Sequence, residues 1–261
     1  MPATPAWPPR SAPRLFVPQP IETGAQIVLE GGQAHYLVAV MRAAPGDALV
    51  LCDDATGEWA CRIVAAGKRR VDVDAVERLR PREDVPDLWL APVLLKKDRF
   101  DLVLEKATEL GVAEIRPLVS RRAVATKLNA ERARSILVEA AEQCARTALP
   151  RLHAPVSLDR MLSDWPADRA LFFADELGGA PAATAYASHA RAAILTGPEG
   201  GFDDAERTAI RALPEAIPIS LGPRILRGET AAIAAIATWM AVAGDWNATS
   251  HKSLAHTQAA T

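Results

Sequence analysis

The sequence predicts an α/β protein of two domains, a small N-terminal β-barrel followed by a domain built on a largely parallel sheet. Three observations predict it. Short apolar runs of period two fill residues 15–79, apolar strands alternate with helical periodicity from residue 88 onward, and the polar stretch Arg80 to Asp87, with Pro81 and Pro86, divides them. At about 150 residues per domain a chain of 261 residues holds both, and 49% hydrophobic residues supply sizeable cores. The expected boundaries are a leader over 1–13, the barrel over 14–80, a linker over 81–87, the α/β domain over 88–245 and a tail over 246–261.

The leader carries Pro2, Pro5, Pro8, Pro9 and Pro13 and lacks the continuous apolar stretch of a secretory signal, so it reads as disordered, as does the tail. Barrel strands are expected at Gln26 to Leu29, Ala48 to Leu51, Trp59 to Val64 and through Val71, Val73 and Val76. The turn-rich Asp53 to Gly57 and Ala66 to Lys68 join the last three into a meander that closes on itself. One helix, near Gln33 to Met41, lies between Gly31-Gly32 and the turn Pro45-Gly46-Asp47.

Beyond the linker, Leu88 to Leu95 begins the sheet. Lys97 to Leu110 follows as an amphipathic helix with Phe100, Val103, Leu104, Ala107 and Leu110 on one stripe and Gly111 at its C-terminal cap. Ile115 to Val119 is the next strand, and Asn129 caps a helix whose buried face is Ala133, Ile136, Leu137, Ala140, Ala141 and Cys144. Strands recur at Ala170 to Ala174, Ala193 to Thr196 and Ile217 to Leu221, with a capping box at Asp203-x-x-Glu206. The last helix, about Glu229 to Ala243, is apolar on every side and is expected to pack on its own domain with one face and on a second subunit or another layer with the other.

Charge excludes little by its total of 30 basic against 32 acidic residues, but its distribution is uneven. Residues 116–151 hold eight basic side chains against three acids, and residues 62–82 hold seven against three. Two such windows favour a polyanionic partner. Cys52, Cys61 and Cys144 form neither a disulfide framework nor a zinc-type pair, which reads as a reducing cytoplasm. The five histidines lack metal-ligand spacing, no Gly-x-Ser-x-Gly elbow points to a hydrolase, and the longest apolar run, Thr230 to Ala243, is 14 residues, short of the roughly 20 a bilayer requires. No metal and no membrane span are expected.

Ligands of open α/β sheets bind where loops leave the carboxyl ends of strands. Two glycine-rich loops do so, Leu195 to Phe202 and Leu221 to Thr230, and neither has the spacing of a dinucleotide fingerprint or a P-loop. Backbone groups holding a small flat ligand fit better than a pyrophosphate cradle.

The pair Leu195-Thr196-Gly197-Pro198-Glu199-Gly200-Gly201 and Leu221-Gly222-Pro223-Arg224-Ile225-Leu226-Arg227-Gly228-Glu229-Thr230-Ala231 resembles the signature of the RsmE family of ribosomal RNA methyltransferases, in the SPOUT superfamily. Leu104 to Val112, Glu142-Gln143-Cys144-Ala145-Arg146, and His35 with Val40-Met41-Arg42 and Gly46-Asp47 are similar to further family motifs, with Met41 standing where the family more often has Leu. The likeness spans about Arg14 to Gly244. It implies a PUA-like RNA-binding β-barrel, a SPOUT α/β domain with a trefoil knot, a homodimer, S-adenosylmethionine as methyl donor, and a uridine N3 of 16S ribosomal RNA in the small subunit as target.

By that resemblance the donor is held by Leu195, Thr196, Gly197, Gly201, Leu221, Gly222, Ile225 and Leu226, with Thr230 either reaching it or capping the last helix. Arg227 is the first choice of catalytic side chain, with Glu229 orienting it or forming a structural ion pair. Glu199 is read either as bonding amides of its own loop beside the donor or, with Glu176, as a candidate general base. RNA contacts are expected from Arg14, His35, Arg42, Lys68, Arg69 and Arg70 in the barrel and from Arg121, Arg122 and Arg146 beyond it, although His35 also reads as fixing a helix start. A SPOUT enzyme acting on another base or a ribose oxygen, and a noncatalytic RNA-binding assembly protein, are the competing readings.

Overall fold

The structure, a computed structural model, describes residues 7–247. Within them the chain forms two compact units, 7–84 with 141–148 and 85–140 with 149–247. Residues 1–6 and 248–261, most of the expected leader and tail, lie outside the described residues. Residues 7–13, expected to be disordered, instead make a turn in which the Ala12 N–H bonds the Pro9 carbonyl at 2.9 Å, while the Pro13 carbonyl accepts from Val50 at 2.9 Å.

In the first unit β1 (Arg14–Phe16), β2 (Gln26–Glu30), β3 (Ala48–Asp53), β4 (Gly57–Ala66) and β5 (Arg70–Pro81) form one sheet in the order β1-β3-β4-β5-β2, with α1 (Gly31–His35) continuing into a π-helical turn, Tyr36–Val40. β1 and β2 are its edges, and no pairing between them closes it among the described residues, so it is a half-barrel rather than the closed meander expected. Alternate residues face the core: Ile27 and Leu29, Leu49 and Leu51, Cys61 and Ile63, Val71 and Val73 are buried. Val76 breaks the expected pattern. Ala75 continues the alternation of Val71 and Val73 inward, and Val76, one residue out of phase and at the register shift between Ala75 and Glu77, is 41% exposed.

The segment 141–148, expected to belong wholly to the second domain, groups with the first unit. Its attachments are polar. Glu142 accepts from the Phe16 N–H at 2.7 Å, the Glu83 carboxylate accepts from the Thr147 and Ala148 N–H groups at 2.5 and 3.2 Å, and Arg80 donates to the Ala145 carbonyl. Ala145 takes a left-handed φ of 61° just past the helix end, so the chain turns there, and Cys144, expected in the core, is exposed.

The second unit is built on a seven-stranded parallel sheet. Its strands are β6 (Leu88–Pro92), β7 (Glu114–Ile115), β9 (Arg151–Leu152), β11 (Ala170–Ala174), β12 (Ala180–Pro181), β13 (Ala192–Thr196) and β14 (Ala216–Ser220), in the order β12-β14-β11-β13-β6-β7-β9. A separate parallel pair joins β8 (Leu118–Val119) to β10 (Val156–Ser157). The single strand expected over Ile115 to Val119 is thus two, divided at Pro117, which lacks the N–H to continue a ladder.

Two faces carry two cores. Leu88, Leu90, Phe172, Ala192 and Ile194 face the side of α2 (Lys97–Glu109), α3 (Ala130–Cys144), α5 (Ala182–Tyr186) and α7 (Gly228–Val242); Ala91, Leu171, Phe173, Ala193 and Leu195 face α4 (Leu158–Ser163) and α6 (Asp204–Ala212). The stripe Phe100, Val103, Leu104 and Ala107 of α2 is buried as its periodicity predicts. Past it, Gly111 at φ 92° lets the Gly111 and Val112 N–H groups return to the Thr108 and Ala107 carbonyls at 3.2 and 3.0 Å, a Schellman stop. Asp203 and Glu206 form the expected capping box at α6. Helix α7 buries Ala232, Ala235, Ile236, Trp239 and Met240 completely, each large one contributing roughly 2 kcal/mol, while Ile233, Ala234, Ala237 and Thr238 on its other side remain half-buried.

Candidate active site

β14, β11 and β13 are neighbours in the parallel sheet, so the loops that leave their carboxyl ends converge. Residues 175–178, 197–199, 201–202 and 221–228 of these loops line a cleft of about 590 Å³ together with Arg99 of α2, a size suited to a small-molecule ligand. Glycine keeps the loops from crowding where they meet. A Cβ on Gly228 would lie 3.0 Å from Leu95 and 3.1 Å from the Gly197 carbonyl oxygen, and one on Gly201, whose φ is 66°, would lie 2.8 Å from the Glu176 carboxylate.

Charged groups sit at two places along the cleft. The Asp175 side chain has 0% exposure and takes Arg207 at 3.2 Å and Arg211 at 2.5 Å, while it also accepts from the Leu177 N–H at 3.1 Å. Arg207 reaches on to Glu176 at 3.0 Å. Elsewhere Arg99 lies between two carboxylates, 3.7 Å from Glu199 and 3.8 Å from Glu229, and the Glu229 Oε2 is buried with no hydrogen-bond partner among the described residues. Arg227 occupies the N-cap position of α7, where its side chain is exposed and makes no ion pair or hydrogen bond among the described residues. The expected Arg227–Glu229 pairing is replaced by Arg99–Glu229.

Of the residues expected to hold a ligand, Gly197, Glu199, Gly201, Leu221, Gly222, Ile225 and Leu226 line the cleft, as does Arg227. Leu195 and Thr196 are buried at 0% and 2% as the end of β13, and Thr230 is an exposed residue of the first turn of α7 that neither caps it nor lines the cleft. Glu199 faces Arg99 rather than bonding its own loop, where the Gly201 N–H goes to the Pro198 carbonyl at 3.0 Å. Sequence reasoning missed Arg99 and the whole loop after β11 except Glu176. The Gly178-Gly179 pair following a strand was the signal available for the latter.

Residues 82–240 match the RNA methyltransferase domain and residues 29–76 the RNA methyltransferase PUA domain. The ribosomal RNA small subunit methyltransferase E of Rickettsia conorii is 30% identical over 229 residues, covering 86% of this chain and 93% of the relative. This chain belongs to that methyltransferase family. The Bacillus subtilis member is 28% identical and covers 84% of this chain and 91% of its own length. Among solved structures, a ribosomal RNA small subunit methyltransferase E from Neisseria gonorrhoeae bound to S-adenosyl methionine superimposes with a TM-score of 0.81 at 26% identity, covering 90% of this chain and 99% of that one.

The family's PUA domain directs attention to the first unit's cations, and burial sorts them. His35, Arg42, Lys68, Arg69 and Arg70 are exposed, with Arg70 engaged by Asp72 at 2.8 Å. Arg42 is held at a left-handed φ of 55° where the π-helical turn ends. Arg14 is different: its guanidinium donates to the Glu58 carboxylate, which Arg80 also meets, so its charge is internal to the unit. Arg146 corrects the expectation of a surface contact, being only 5% exposed, with burial lowering its pKa to about 10. In the second unit Arg121 and Arg122 are exposed beside the cleft, Arg121 bonded to Asp203 at 3.1 Å and Arg122 to the Gly200 carbonyl at 3.0 Å. Among the described residues no cluster of His, Cys, Asp or Glu is placed to hold a metal ion, and no helix is long and apolar enough to cross a membrane.

Proposed function

We propose that this protein transfers a methyl group from S-adenosylmethionine to N3 of a uridine in 16S ribosomal RNA of the small subunit. The observation that carries the reading is the glycine-lined cleft at three adjacent strand ends of a chain belonging to this family. The residues fit the donor. Side chains at Gly201 and Gly228 would crowd the groups around the cleft, and Gly197, Leu221, Gly222, Ile225 and Leu226 offer backbone and aliphatic surface to an adenosyl group. When bound, S-adenosylmethionine supplies an electrophilic methyl group.

The remaining chemistry falls to the protein. A uracil N3–H has an acidity on the order of a phenol, with a pKa near 10, so N3 is a poor nucleophile until its proton leaves. Arg227, an exposed cation at the cleft, stabilises the uracil anion or its carbonyl oxygens, since opposite charge nearby favours the ionised form. Glu199 lines the same cleft beside Arg99 and is our choice of proton acceptor over Glu176, which Arg207 engages. His35, Arg42, Lys68 and Arg69 supply phosphate and base contacts in the half-barrel, with Arg121 and Arg122 adding to them.

From the family we also infer a trefoil knot in the α/β domain and a homodimer, the latter supported by the half-buried apolar side of α7, Ile233, Ala234 and Ala237. A ribosomal RNA substrate supports a cytoplasmic location. Incubating small subunits that lack the modification with the protein and S-adenosylmethionine, then digesting the RNA for mass spectrometry, tests the reading. A new 3-methyluridine supports it, whereas methylation of a ribose or of another base overturns it.

A further inference from the structure

The loop after β11 was not part of the family motifs, yet it contributes four residues to the cleft, from Asp175 to Gly178. Its two carboxylates have divided roles. Asp175 is fully enclosed and committed to Arg207, Arg211 and the Leu177 N–H, which makes it the anchor of the loop. Glu176 is 46% exposed in its side chain and lines the cleft, with Arg207 holding its Oε1. It shares no ion pair or hydrogen bond with Arg99, Glu199, Arg227 or Glu229 among the described residues, so the electrostatics that would shape proton removal act without it.

We propose that Glu176 is the acceptor for the ribose hydroxyls of the methyl donor, a role that rests on the cleft being the donor site. A carboxylate is acceptor-only with two oxygens and four lone-pair directions, and a vicinal diol presents two donors at matching spacing. The position agrees with the general rule for open parallel sheets, in which ligands sit outside the carboxyl ends of the strands, and Glu176 follows the carboxyl end of β11. β11 lies between β14 and β13, so Glu176 stands between the two glycine loops rather than at an edge of the site. Gly201 completes the argument. Its missing side chain leaves the space that the Glu176 carboxylate occupies, 2.8 Å from where a Cβ would stand. The pair Arg207–Glu176 then fixes the carboxylate in direction before any ligand arrives.

The test is calorimetric and independent of methyl transfer. Binding of S-adenosylhomocysteine is compared with that of its 2′-deoxy and 3′-deoxy counterparts, for the wild-type protein, Glu176→Gln and Glu176→Ala. The wild type is expected to bind at least one deoxy compound about tenfold more weakly than the parent, the loss of one hydrogen bond to a charged group. Glu176→Ala is expected to bind the parent and the deoxy compound alike, and Glu176→Gln to keep part of the difference. Wild-type binding without discrimination, or discrimination that survives in Glu176→Ala, overturns the role of Glu176 and leaves the donor site standing. Absence of any wild-type binding overturns the donor site and this role with it.

Discussion

Arg14 and Arg80 in the N-terminal unit and Arg227 in the α/β unit carry the same guanidinium to opposite ends. The first two close on one buried carboxylate, Glu58, 7% exposed, and hold the half-barrel together. Arg227 stands at the N-cap of α7 with no ionic partner among the described residues. Charge counted along the sequence treats the three alike. What separates them is the reach of an acid in the sheet: β4 places Glu58 opposite Arg80 of β5, and Arg14, itself opposite Val50 of β3, meets the same carboxylate one strand further on, whereas Arg227 lies in the loop after β14. A basic window therefore overstates the charge available to RNA where, as at Arg80, the neighbour across the sheet is an acid.

The sharpest way to break this contrast is at Arg227. Arg227→Ala is expected to lower kcat for methyl transfer by about 100-fold or more, with donor affinity unchanged by calorimetry; unchanged turnover would make it another structural arginine. At the other pole, Glu58→Ala leaves Arg14 and Arg80 without their shared anion and is expected to destabilise the N-terminal unit by about 2 kcal/mol, read from the denaturant midpoint, with the donor affinity of the α/β unit retained. Gly228→Ala crowds Leu95 and the Gly197 carbonyl, and about tenfold weaker donor binding is expected from the strain.

Smaller effects divide the barrel's own cations. Arg69→Ala should reduce the salt slope of RNA binding by about 0.7 to 0.9, the share of one phosphate contact, and Arg70→Ala by less, because Asp72 already neutralises Arg70. Equal effects would show that the ion pair opens on binding. The least costly check is chemical. Burial pushes the Cys52 and Cys61 thiols up to about 12, so both stay protonated and inert to alkylation at pH 8, while the exposed Cys144 reacts.

Local patterns were legible where local physics decides them. The stripe of α2, its glycine stop, the capping box of α6 and both glycine loops depend on residues within a few positions of one another. What escaped depends on distant partners. Glu142 meets Phe16 across 126 residues of sequence, so the Glu142 to Arg146 motif reads as the end of an amphipathic helix until the fold carries it to the half-barrel. Arg99 is one polar residue on an ordinary helix, and only the convergence of the loop after β13 and the first turn of α7 sets it between two carboxylates. The open edge between β1 and β2 was equally invisible, because a period of two describes strands and not which edges pair.

The central claim is that the cleft beside Arg227 methylates uridine N3 in small-subunit ribosomal RNA. Mass spectrometry of nucleosides from that RNA, purified from cells deleted for this protein and complemented with wild type or Arg227→Ala, tests it most directly. The account predicts that 3-methyluridine disappears on deletion, returns with the wild type and does not return with Arg227→Ala. Unaltered 3-methyluridine in the deleted cells, accompanied by loss of a different modification, would contradict it.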